Sequence, residues 1–150
     1  MSTLYKDTII GCIREYEESV NNLPKEVALL ILSFIAIMIC LLSKMFIPGL
    51  ILVGFSVIVI NAIIETKQDI DKEKTLIKRN IEKYIGQMYF EKTGSLLKRS
   101  QKCNIKCEGK TNLNIKIETI NLEAIKSRLE EELLAIESES FKHLKLKIVV

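Results

Sequence analysis

The sequence is poor in the residues that most often announce chemistry. It has one histidine, His143, which is too few for a histidine-based metal centre. It has no glycine-rich phosphate loop, no paired-carboxylate signature and no nucleophile motif. The expectation is a protein that is not an enzyme and holds no cofactor or metal. The four cysteines, Cys12, Cys40, Cys103 and Cys107, form no secreted disulfide framework. Cys103-x-x-x-Cys107 lacks the two-residue spacing and the second pair of a metal site. Alternate strand positions facing a small core account better for both thiols. Internal repeats and disordered tracts are also lacking.

The most informative scarcity is of charge. Between Val27 and Ile64, 38 residues carry a single charged side chain, Lys44. A hydrocarbon core about 30 Å thick takes about 17–25 apolar residues per helix. One helix of this length would be too long, and Lys44-Met45-Phe46-Ile47-Pro48-Gly49 divides the run with a charge, then two turn formers. The sequence predicts spans over 26–44 and 47–65. Lys25, Glu26, Lys44, Glu65 and Lys67 flank them and can snorkel. A hairpin buried in a soluble core competes, but the remaining 112 residues are too few to cover two helices apolar all round. The run starts after 26 residues without a basic region beside it or a small-x-small site. It is therefore expected to remain as an anchor rather than to be removed as a signal.

Lys and Arg near the spans set orientation. The segment 65–84 has Lys67, Lys72, Lys74, Lys78, Arg79 and Lys83, the N-terminal arm has Lys6, Arg14 and Lys25, and the turn has only Lys44. Both termini are expected in the cytoplasm. Ser33, Ala36, Cys40 and Ser43 make a small-residue face on the first span. Gly54 and Asn61, seven apart, share a face on the second. These residues are read as the packing surface, within one hairpin or within a homo-oligomer. Two spans alone cannot enclose a pore.

Around the hairpin the period of the apolar residues changes. Leu4, Ile9, Ile13, Tyr16 and Val20 mark an amphipathic helix over 3–20, ended by Asn21-Asn22-Leu23-Pro24 and acidic enough to favour packing on protein. Ile70, Ile77, Ile81, Tyr84 and Met88 mark a helix over 66–92, broken at Gly94-Ser95. Cys103, Ile105 and Cys107, then Leu113, Ile115 and Ile117, alternate as a β-hairpin about the turn-like 108–112. Leu122, Ile125, Leu129, Leu133 and Ile136 line a helix at about 122–138, with Asn121 as its cap. His143 to Val150 alternates as a last strand.

The expected fold is thus a membrane α-helical hairpin of two transmembrane helices plus a small cytosolic α+β domain, a long helix and then ββαβ. Its parts are an amphipathic helix (1–25), the hairpin (26–65, turn 44–49), a stalk helix (66–100) and the α+β domain (101–150). Three strands make a thin core, which the preceding helix or another subunit is expected to complete.

Charge is segregated in the last third. From Lys92 to Lys116 seven basic residues face Glu108 alone, a net of +6, and from Glu118 to Glu139 seven acids face Lys126 and Arg128, a net of −5. The basic stretch favours an anion: nucleotide, nucleic acid or lipid headgroup. Its candidate ligand-binding residues are Lys98, Arg99, Lys102, Lys106, Lys110 and Asn112. A solvated face partly neutralised by the acidic helix is the plainer reading. The lack of an interleaved aromatic ladder argues against single-strand nucleic acid.

On the hairpin at 27–64, the basic stretch at 92–116 and the compact C-terminal region, the layout resembles small two-span membrane effectors of prokaryotic antiviral defence. These include the CRISPR-associated type, in which a cytosolic domain binds a cyclic oligonucleotide. The resemblance implies a bacterial inner membrane, a homo-oligomer and a phosphate ligand held across subunits. A membrane anchor that recruits a cytosolic protein shares the layout, as does a holin-like pore former.

Overall fold

Two long helices carry most of the chain. In the computed structural model, which describes residues 2–97, 103–108, 113–119, 122–137 and 144–149, α1 runs Ser2–Leu42 and α2 runs Phe46–Thr93. A small region of strands and helix follows: β1 (Cys103–Glu108), β2 (Leu113–Thr119), a 3-10 turn (Glu123–Ile125), α3 (Lys126–Glu137) and β3 (Leu144–Val149). The chain forms two compact units, Glu18–Asp71 and Met1–Glu17 with Lys72–Val150.

In the unit Glu18–Asp71 the helices pair antiparallel. Ser33 Oγ lies 2.9 Å from Ser56 Oγ, and Thr66 Oγ1 donates to Glu26 Oε1 at 3.0 Å. A Cβ on Gly49 would stand 3.6 Å from Cys40 Cβ, an ordinary contact that marks how closely the backbones approach. Val20, Val59, Ile63 and Ile70 complete the buried seam.

The helix break expected at Asn21-Asn22-Leu23-Pro24 does not occur: α1 continues through Pro24. A proline inside a helix costs about 3 kcal/mol through its missing N–H and its ring. Packing on both sides offsets this, with Val20 buried before Pro24 and Glu26 bonded to α2 after it. Tertiary contact, more than propensity, holds most protein helices.

The hairpin turn is also tighter than the expected 44–49. Met45 N–H donates to Cys40 O at 2.9 Å and Lys44 N–H to Leu41 O at 3.2 Å, with Lys44 at φ 55°. This is a Schellman end with lysine in the left-handed position usually given to glycine. Pro48 then falls in the first turn of α2, where its missing N–H costs nothing.

In the other unit α1 buries Ile9, Ile10, Ile13 and Tyr16, while Leu4 is exposed. Asn80 Nδ2 reaches Cys12 Sγ at 3.6 Å, so this stretch of α1 lies along α2. The stripe of α2 is buried as its spacing predicts, through Ile77, Ile81, Tyr84, Ile85 and Met88. Gly94, at φ 67°, ends α2 and donates to Phe90 O at 2.8 Å.

The sheet order is β1-β2-β3, with β1 antiparallel and β3 parallel to β2. The ββαβ order read from the sequence is the one found. One face of the sheet buries Ile105, Leu113, Ile115 and Ile117. Leu122, Ile125, Leu129, Leu133 and Ile136 are buried as well, each such side chain contributing roughly 1.5–3 kcal/mol. Arg128 Nη2 meets Glu91 Oε2 at 3.3 Å and ties α3 to the end of α2. Asn121 and His143 lie outside the described residues.

Candidate anion site

Helical spacing places Lys74, Thr75 and Lys78 together on one side of α2, since positions four apart are neighbours. Strand alternation then sorts β1. Ile105 and Cys107 face inward, and Asn104, Lys106 and Glu108 face out. Where β1 approaches α2, these eight residues line an open groove of about 390 Å³. Three ammonium groups meet one carboxylate there. Thr75 and Asn104 add hydrogen-bonding groups suited to oxyanions.

Cys107 is half-buried in this groove and its thiol is free. Burial pushes the thiol up, while the positive charges of Lys78 and Lys74 pull it back and Glu82 opposes them. The thiol form therefore prevails at neutral pH, and Cys107 is a wall rather than a nucleophile.

Lys106 also belongs to the outer face of the sheet. Its Nζ stands 3.7 Å from Glu118 Oε1, and Lys116 Nζ stands 3.0 Å from the same oxygen. Asn104 Nδ2 donates to Glu118 Oε2 at 3.3 Å. The hydrogen bond from Lys116, then the charge of Lys106, hold the Glu118 carboxyl below the usual carboxylate range. Among the described residues, no group of three or more His, Cys, Asp or Glu is placed to hold a metal.

Of the residues expected to bind a ligand, the structure places Lys106 in the groove. Lys98, Arg99, Lys102, Lys110 and Asn112 lie outside the described residues. Lys74 and Lys78 were missed as site residues, because in the sequence they read only as positive charges that orient the spans. The available signal was their position beside the buried Ile77 of the stripe.

Among the expected packing residues, Ser33 is buried, while Ala36 and Cys40 are half-buried on α1. Gly54 and Asn61 share a face as expected, but that face is exposed, and no atom would lie within 4 Å of a Cβ on Gly54. The seam of α2 runs through Gly49, Ser56, Val59 and Ile63 instead. Ser56 and Ile63 are each two residues beyond Gly54 and Asn61, about 200° around a helix.

Fold and site together define a mostly helical chain with two helices long and apolar enough to cross a membrane, and a small strand-and-helix region bearing a basic groove. Compared with protein-family models, curated proteins and solved structures, the chain matches none.

Proposed function

We propose that this chain is an integral two-span membrane protein whose cytosolic part binds a phosphate-bearing anion in the groove of Lys74, Lys78 and Lys106. The membrane half of the proposal rests on surface chemistry. The most apolar 18-residue stretches of the two helices have mean hydropathies of 2.4 and 2.5, yet only 6% and 22% of their residues are buried. Leu32, Phe34, Met38, Leu50, Ile51 and Ile58 are all more than half exposed. Water penalises such a surface heavily, and lipid does not. The excess of Lys and Arg beside the spans supports cytoplasmic termini, and a bacterial plasma membrane follows from the resemblance in layout alone. Gly54 and Asn61, exposed in the single chain, leave a face for a second copy, which supports a homo-oligomer.

The ligand half rests on one observation: lysines from α2 and β1, far apart in sequence, converge on one open groove. Multiply charged phosphates suit such a site, and a cyclic oligonucleotide is the ligand that the layout favours. The decisive measurement is binding of cyclic oligoadenylates to the full chain in detergent, together with its subunit number. Lys74→Glu and Lys78→Glu are each expected to weaken binding by about tenfold or more, since hydrogen bonds to charged groups contribute roughly 1.5–3 kcal/mol. Capture of one cytosolic protein without nucleotide binding would replace this reading with that of an anchor. Membrane leakage that needs no ligand would replace it with a holin-like pore former.

A further inference from the structure

The apolar part of α2 carries two seams, and α1 covers one of them. Gly49 and Ser56 meet Cys40 and Ser33 of α1, and the buried Val59 and Ile63 continue that line. A second line runs through Ile47, Leu50, Gly54, Val57, Asn61 and Ile64, in alternating steps of three and four residues. Every residue in it is exposed. It repeats the buried seam with an offset of two residues, about 200° around the helix. Steps averaging about 3.5 residues keep one face of a helix against a parallel partner. Asn61 is the one polar side chain in this line. It stands one turn before Glu65, about 6 Å inside the charged edge of the span. Lipid gives its carboxamide nothing to bond. The side chain is also too short to reach the interface as a lysine does.

We propose that two copies of this chain pair in parallel through the exposed line, with the Asn61 carboxamides bonded to each other across a two-fold axis. The inference rests on the two-span reading. Copies inserted with one topology present α2 in the same direction and at the same depth, so each residue of the line meets its own counterpart. Asparagine suits that position because it carries both donors and an acceptor, and so satisfies a copy of itself. Gly54 lies seven residues away on the same line, where the lack of a side chain lets the backbones approach. A Cβ there touches nothing in the single chain, so its own hairpin does not need the glycine. A single polar residue in an apolar heptad line fixes register and partner number. The order across the pair is α1, α2, α2, α1, with Asn61 at the centre.

The test uses the full chain, in detergent and in membranes. Sedimentation is expected to give an even subunit number. Asn61→Leu is expected to raise the dissociation constant about tenfold, and Asn61→Gln, which keeps the carboxamide, to retain most of the association. Single cysteines in an otherwise cysteine-free chain then report the face. Val57→Cys and Ile64→Cys are expected to cross-link under copper phenanthroline, whereas Ile51→Cys and Phe55→Cys, on other faces, are not. All of these positions are exposed, so the substitutions leave the hairpin intact. The pair is overturned by a monomer, by an odd subunit number, by association that Asn61→Leu leaves unchanged, or by cross-linking that does not favour positions 57 and 64. The two-span reading survives each of these results if the chain stays in membranes washed with alkaline carbonate. Release by that wash overturns both.

Discussion

Tyr84 shows what a single buried polar atom does in this protein. It sits in the stripe of α2, almost wholly buried, and its hydroxyl has no hydrogen-bond partner among the described residues. Burial pushes the phenol up to about 12, and the Glu132 carboxylate adds its negative charge without closing a hydrogen bond of ordinary geometry. A raised pKa means that the folded state holds the proton more tightly than the unfolded state. The associated stability is complete below the ordinary tyrosine value of about 10 and is lost as pH rises through about 12. Tyr84→Phe should therefore fold as well as the parent at neutral pH and better above pH 10. Thermal unfolding of both proteins across that range checks this. Equal alkaline loss in the two would place the cause elsewhere.

The elements make opposite demands on two glycines of α2. Gly86 is in the helix interior, where glycine costs roughly 0.5–1 kcal/mol relative to alanine. A Cβ there would meet Leu97 Cδ1 at 3.8 Å, an ordinary contact. Gly94 ends the helix at φ 67°, where any L side chain is strained although the space is open. Gly86→Ala should raise stability by about 0.5–1 kcal/mol, and Gly94→Ala should lower it by about 1 kcal/mol. Denaturant midpoints of the two variants should move in opposite directions.

Element type was legible wherever one face is buried. The stripe Ile77, Ile81, Tyr84 and Met88 kept the helical period, and Leu113, Ile115 and Ile117 the strand period, because each series meets a core. The break expected at Pro24 failed because contacts distant in sequence, Glu26 to Thr66 among them, outweigh a local penalty. The turn expected to reach Gly49 closes earlier because Lys44 accepts a left-handed backbone. The site was less legible. Lys74 and Lys78 gain meaning only once β1 lies against α2.

At the scale of the whole molecule, the membrane reading makes a prediction about access. If both termini are cytoplasmic, Cys12 and Cys107 lie inside and only the turn near Lys44 reaches the other side. A cysteine placed at Lys44 in an otherwise cysteine-free chain should react with a membrane-impermeant maleimide in intact cells. One restored at position 107 should react only after the membrane is opened. The reverse pattern would invert the topology, and equal reactivity at both sites in intact cells would sink the two-span reading.

The sheet has a further consequence. Among the described residues β1 and β3 each pair on one side only, which leaves two open strand edges. Such edges template stacking of one chain on another unless something repels the newcomer, and lysine is the usual deterrent. Lys106 on one edge and exposed Lys145 on the other supply that repulsion. Replacing both with neutral residues is thus expected to turn these edges into aggregation seeds. Arginine, which keeps the charge, should not.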